Sequence, residues 1–396
     1  MRYSRPFFPS MSYMLFILIC PGTILYYVAI TSSLIPPIAG GYFGTSTAAA
    51  LAILAPAYFY IRLKIWRIHK TDIYYFSFLL FFALIAFANW VYSSDTAIFT
   101  WHLTAIAQCA SIFLVCKGVA EASNLPGKLM TLFWVATSIC MMSITVGGRF
   151  SLREISPDLA EIPSYQTFAM CYFLISFIMV IGTKSTTLRA IINVIAIICL
   201  YMNGARSEFV AYILFVCMYE FLSSSSKAMP VLAFLVSLVA AILIFNSGII
   251  ELPDSRIASL IDLQNDNSNN ERNKISAQGL ERIYKNPVMG DYGNYPKGEY
   301  MHNILSVWHD LGIAGLIFLT MLIISPMIRL LSASASGVRQ NSLVYASFAI
   351  LVSAATLLLV GKYFTYLMIP AALGFYSSSV IRDKDLHTAD TLEGQP

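Results

Sequence analysis

Six side chains in this chain of 396 residues carry chemistry that its apolar bulk does not: His302, Arg206, Arg149, Arg272, Arg153 and Arg282. Arginine keeps its charge at any relevant pH, and its planar fork donates two parallel hydrogen bonds, the geometry a phosphate accepts. Histidine titrates near neutrality and can take a proton from an attacking hydroxyl. Arg206 stands in NGARSE at the start of one apolar run, and His302 opens another in MHNILSVWHDLGIAGL. If those runs are helices, their first N–H groups and dipole ends favour an anion at the same places. Arg149 and Arg153 are four apart and share a face if their turn is helical. The combination points to reaction at a phosphate-bearing substrate, with arginines holding the anion and His302 handling a proton. Each residue also has a plainer reading. Arg206 could anchor a span to lipid headgroups or pair with Glu208, and Arg149 and Arg153 could pair with Glu154 and Asp158. Arg272 and Arg282 could be surface charges. His309 with Asp310 reads as a hydrogen-bonded core pair, and His102 beside Trp101 as a satisfied interior residue.

The elements that must position these groups belong to a bilayer. The chain is 58% hydrophobic and 12% charged, with a mean hydropathy of +0.69, which excludes an ordinary soluble domain. Apolar runs long enough to cross roughly 30 Å of hydrocarbon recur along it. The pattern predicts an all-α polytopic integral membrane protein of about twelve transmembrane helices, near 11–31, 41–62, 73–92, 96–116, 129–146, 166–183, 187–203, 206–223, 229–249, 303–330, 341–361 and 363–381. Nine spans fill residues 1–249, with an outer loop at 147–165. A large, partly helical loop follows at 250–302, then three spans over 303–381 and a polar tail, 382–396, expected to be disordered. Alternate loops divide the lysines and arginines fifteen to four once the long loop is set aside, so the termini are expected on the cytoplasmic side. The long loop then faces outward with Arg149, Arg153 and Arg206. The first span follows MRYSRP and lacks a small-residue cleavage site, so it is expected to remain uncleaved.

Within the long loop the early part, DLQNDNSNNER, is too polar to bury. From Arg272 the spacing of Ile275, Leu280, Ile283 and Tyr284 predicts a short amphipathic helix that lies on the membrane surface and stops at Asn286-Pro287. Gly290, Gly293 and Pro296 then make an irregular turn leading to His302. His309, seven residues on, is expected on the same helix face about 10 Å deeper. The seven cysteines all lie in or at the edge of predicted spans and show no metal-ligand spacing. Aspartates in the loop do not match a calcium-binding pattern.

Three short elements in a fixed order give this chain a resemblance to the O-antigen ligase and polymerase family: Ala205-Arg206-Ser207; the turn of Asn286, Pro287, Gly290 and Gly293; and the pattern of His302, Asn303, Leu305, Gly312 and Gly315. They span residues 203–316, while the many-span layout with a late outer loop covers the whole chain. The first element has Ser207-Glu208 where the family often has glycine, and the turn is longer than the common form. The resemblance implies a glycosyltransferase of the bacterial inner membrane whose donor is a glycan on undecaprenyl pyrophosphate. By motif it assigns Arg206, Arg272 and His302 to the site; Arg149 rests on its position before the sixth span, and Arg153 and Arg282 rest on less.

Such an enzyme needs no cofactor or metal, because arginines take the diphosphate. Its partners would be lipid-linked oligosaccharide, membrane lipids, a chain-length regulator and a flippase, with no nucleic acid. Polymerase, joining the glycan to another lipid-linked repeat unit, is the preferred reading over ligase, which delivers it to lipid A core. A flippase or other transporter would typically place more charge within spans and show twofold repetition. A purely structural membrane protein would not need the arginines and histidine on one face.

Overall fold

In the computed structural model the residues described are 7–37, 41–65, 68–93, 96–122, 125–156, 162–224, 267–296, 299–335 and 342–393. Among them the chain is all-α. It runs α1 (Phe7–Thr31), α2 (Tyr42–Ile65), α3 (Lys70–Ser93), α4 (Thr96–Glu121), α5 (Lys128–Ser143), the single turn α6 (Leu152–Ile155), α7 (Tyr165–Gly182), α8 (Thr186–Asn203) and α9 (Arg206–Ser223). After the undescribed segment come α10 (Asn267–Lys285), α11 (Leu305–Ala335), α12 (Ser342–Val360) and α13 (Met368–Glu393). Eight of these, α1 to α4, α7, α8, α11 and α12, are long and apolar enough to cross a membrane, so the protein is a multi-pass membrane protein. The expected span at 229–249 and the loop up to residue 266 lie outside the described residues.

Lipid-facing and buried faces follow helical spacing. On α3, Leu80, Leu84, Phe87 and Val91 recur at four, three and four residues and are all exposed. Such a row would be a liability in water and is the expected outer face in hydrocarbon. Helix α4 is central, packing against α1, α2, α3 and α13. Small residues allow this closeness, as in membrane bundles generally. A Cβ on Gly374 of α13 would stand 2.6 Å from the Phe113 carbonyl of α4, and one on Gly118 of α4 would stand 2.0 Å from Ser12 Oγ of α1.

Three expectations are corrected. The apolar run at 303–330 is not one continuous helix. Asn303 caps α11 by accepting from the Leu305 N–H at 2.9 Å, so His302 lies outside the helix, and α11 breaks at Gly312 (φ 68°, ψ −174°). His302 and His309 therefore do not share a helix face. Arg149 and Arg153 do not share one either. Arg149 belongs to a tight turn closed by paired hydrogen bonds with Val146 across Gly147-Gly148, and α6 begins only at Leu152. Third, the last helix does not stop at 381 but continues to Glu393, through the residues expected to be a disordered tail.

Helix α10 matches the amphipathic helix expected from Arg272, begins five residues earlier and ends before Asn286-Pro287 as expected. Its inward face is set by Ile283 and by Gly279, where an added Cβ would stand 2.3 Å from Met301 Sδ. Leu280 and Tyr284, expected on that face, point outward.

Candidate active site

One end of the bundle gathers the loops that carry the chemistry. The C-terminal end of α8 meets the Arg149 turn, where the Phe150 N–H donates to the Met202 carbonyl at 2.8 Å. The first turn of α9 meets the connection between α12 and α13, where Lys362 Nζ donates to Glu208 Oε1 at 2.5 Å. That connection in turn crosses the start of α11, with the Phe364 N–H donating to Ser306 Oγ at 3.2 Å. Arg149, Arg206 and His302 are thus delivered to one end of the molecule by three loops tied to one another.

His302 lies half-buried beside Tyr300, with ring centroids 4.7 Å apart. Burial lowers its pKa to about 4, with the positive charges of Arg272 and Lys362 acting in the same direction. It is a neutral imidazole at neutral pH. Arg272, on the first half of α10, reaches the same place: its Nη1 would be 3.5 Å from a Cβ on Gly361. It also acts on Tyr300, whose hydroxyl pKa is raised by burial and partly pulled back by the Arg272 charge.

Glu208 is the fixed point of the cationic wall. Its carboxylate is fully buried and accepts from Lys362, from the Tyr366 hydroxyl at 2.7 Å and from the Ser207 hydroxyl at 2.8 Å. Lys362 also sits 4.7 Å from the centre of the Tyr366 ring. Lys362 is thus an ion-pair partner of Glu208, reached across 154 positions of the chain.

Directly behind Tyr300 lies a second polar layer. Asp310, fully buried, accepts from the Tyr363 hydroxyl, from Tyr295 at 3.0 Å and from the Gly293 N–H at 3.3 Å, and pairs with His309 Nδ1 at 2.9 Å. His102 bridges Tyr292 (2.6 Å from Nδ1) and Tyr363 (2.9 Å from Nε2). His102 and His309 are thus the satisfied interior residues that the sequence suggests. The ring of Tyr363 stands 4.7 Å from that of Tyr300, so the layer buttresses the His302 segment.

Two glycines let the 286–296 turn seat on the break in α11. Gly290 (φ 77°) packs against the His309 carbonyl, and Gly312 (φ 68°) against the Val288 carbonyl, where added Cβ atoms would stand at 2.6 and 2.1 Å. Across this junction the Asp291 N–H donates to His309 O at 2.6 Å, the Ile313 N–H to Val288 O at 3.3 Å, and Trp308 Nε1 to Pro287 O at 2.8 Å. The glycine turn and the His-Asn element, separate in the sequence, form one folded unit.

Arg153 is used differently. Its Nε and Nη2 donate to the Ile162 carbonyl at 2.9 and 2.8 Å, which fixes the return of the 147–165 loop. Arg282 sits one turn from the C-terminal end of α10, ten residues beyond Arg272. Residues that sequence reasoning did not nominate are Lys362, Glu208, Tyr300 and Tyr363. The available signal was weak but real: Lys362 is a lone charge between two apolar runs, and ionisable groups at such positions are costly to bury.

No family model, curated protein or solved structure matches this chain.

Proposed function

We propose that the protein is a glycosyltransferase of the bacterial inner membrane that uses a glycan carried on a polyprenyl diphosphate, and specifically an O-antigen polymerase. The single observation that carries this reading is the neutral His302 set beside Arg272 and Lys362 at the end of the bundle where α9 begins with Arg206. Positive charges around a neutral imidazole suit a substrate that brings its own negative charge. Acidic catalytic partners would repel such a substrate, and Glu208 is already neutralised by Lys362.

In the reaction the acceptor sugar hydroxyl attacks the anomeric carbon of the donor from the face opposite the diphosphate. The new C–O bond forms as the bond to the diphosphate oxygen breaks, the electron pair leaves with the diphosphate, and the configuration inverts. His302 accepts the hydroxyl proton. Arg206, Arg149 and Arg272 stabilise the charge growing on the leaving group, the kind of preorganised electrostatic contribution that is often the largest in catalysis. Bound diphosphate offsets the repulsion from Arg272 and Lys362, so His302 becomes a better base only when donor is present. The exposed apolar residues Tyr284, Val288 and Met289 beside this end suit contact with the lipid surface that supplies it.

The test is the lipopolysaccharide ladder of a deletion strain complemented with wild type or His302→Ala. A polymerase gives a single repeat unit on the core in the deletion strain, restored to a ladder by wild type. His302→Ala, at wild-type membrane abundance, is expected to reduce polymer at least ~100-fold, the low end for loss of a general base. Core without any O-antigen would mean ligase instead, and a normal ladder in the deletion strain would remove both readings.

A further inference from the structure

The connection between α8 and α9 holds a buried side chain whose bonding capacity nothing among the described residues uses. Asn203 is the last residue of α8, on the inward face that runs through Ile192, Ala196, Cys199 and Leu200, and it is only 4% exposed. Neither its Oδ1 nor its Nδ2 has a hydrogen-bond partner among the described residues. The contrast on the same helix is Asn193, equally inward, whose Oδ1 accepts from the Tyr212 hydroxyl at 3.0 Å. Burying a carboxamide with both ends unmet costs stability, and native interiors keep few such groups.

Its surroundings say what could meet it. The next residue, Gly204, turns the chain in the left-handed conformation (φ 75°), and apart from its chain neighbours no described residue comes within 4 Å of the place a Cβ would occupy. Two residues further on, Arg206 opens an eighteen-residue helix whose first N–H groups face the same connection. One residue back, the Met202 carbonyl holds the turn that carries Arg149. An anion drawn to Arg206 and Arg149 would bring whatever is bonded to it against Asn203. A carboxamide donates and accepts at once, so it matches a group that also does both.

We propose that Asn203 binds the sugar attached to the diphosphate, pairing with one of its hydroxyl or acetamido groups while Arg206 takes the phosphate. This rests on the diphosphate reading above and adds to it a residue that reads the sugar rather than the charge. The same logic predicts an unusual signature for Asn203→Leu. Replacing an unpartnered buried amide by an apolar group of similar size removes a cost rather than a contact, so this variant should be as stable as wild type or more so.

The experiment uses the full chain in lipid nanodiscs and two probes: a short polyprenyl diphosphate, and the same lipid diphosphate bearing one N-acetylhexosamine. Wild type should bind the sugar-bearing probe about tenfold more tightly, the scale of one well-placed polar pairing. Asn203→Leu should lose that tenfold preference, keep its affinity for the bare lipid diphosphate, and show an equal or higher thermal midpoint. Arg206→Ala should weaken both probes. The inference is overturned if Asn203→Leu keeps the preference, as it would if the amide held only a structural water. It is equally overturned if the variant weakens both probes with a lower midpoint, or if wild type shows no preference. Failure of wild type to bind either probe would instead bring down the diphosphate reading, and this inference with it.

Discussion

A histidine whose pKa is lowered to about 4 stays uncharged across the whole range in which a solvated one would titrate, near 6.5. For His302 the cause is burial first, then Arg272, then Lys362. The sign of a change at Arg272 follows. Removing a positive charge favours the imidazolium, so Arg272→Ala should raise the His302 pKa towards 6.5. In transfer assays the acid limb of kcat/KM, which reports the free enzyme, should move to higher pH, while kcat at alkaline pH should fall through loss of the proposed diphosphate ligand. An unmoved acid limb would separate Arg272 from His302. Lys362 behaves differently because it is locked to Glu208. Lys362→Met leaves a buried carboxylate without its cation, a loss of about 3–5 kcal/mol by analogy with broken buried pairs. It should appear as a lower thermal midpoint in detergent. Adding Glu208→Gln should recover most of that stability without recovering transfer.

At the level of elements, two close approaches set the position of His302. Gly312 combines a backbone conformation open almost only to glycine with contact to the Val288 carbonyl. Gly312→Ala is expected to cost about 1–3 kcal/mol from the backbone alone, more with the clash, and to reduce both folded protein and activity. Gly279→Val is the subtler case. Met301 is flexible and can yield, so the helix should persist, but Met301 precedes His302 and its displacement carries the imidazole with it. Folded yield near wild type with transfer reduced at least tenfold is the expected outcome, on the reasoning that misplacement of about 1 Å can cost 100-fold. Gly361→Ala serves as the control, since its Cβ would meet Arg272 at an ordinary contact distance, and should leave transfer unchanged.

Across the whole molecule, the two ends of the bundle are held by different means. At the end opposite the candidate site, Lys117 of α4 donates to both Asp72 oxygens (2.8 and 2.6 Å) and to Ser377 of α13 (2.7 Å), while Tyr58 of α2 donates to Asp72 at 2.6 Å. Four helices meet on one fully satisfied ion pair. Lys117→Met should therefore lower the yield of folded protein, with Lys117→Met/Asp72→Asn restoring it, as measured by monodisperse recovery in detergent. Much of this architecture was legible in the sequence. Eleven of the twelve apolar runs contain a helix, eight of these helices are long and apolar enough to cross a membrane, and the twelfth run lies outside the described residues, because a long apolar run in a chain this poor in charge has few other fates. The order of arginine, glycine turn and histidine was legible too. What periodicity could not show was the break at Gly312, since the apolar pattern runs through it unchanged, nor the Lys362–Glu208 and Asp310–Tyr363 pairings, which join residues more than fifty positions apart. The seating of the 286–296 turn on the 305–311 stub also decides how this protein can be recombined. Among the described residues, the hydrogen bonds that join turn to stub run between residues 287 and 313, while Tyr292, Ser306 and Asp310 tie the stretch to His102, Phe364 and Tyr363, so it is a cartridge that needs its socket. A chimera with crossovers after Lys285 and after Ile313 would move turn and stub together into a recipient that keeps His102 and Tyr363, whereas one cut near Glu299 would pair each half with a stranger.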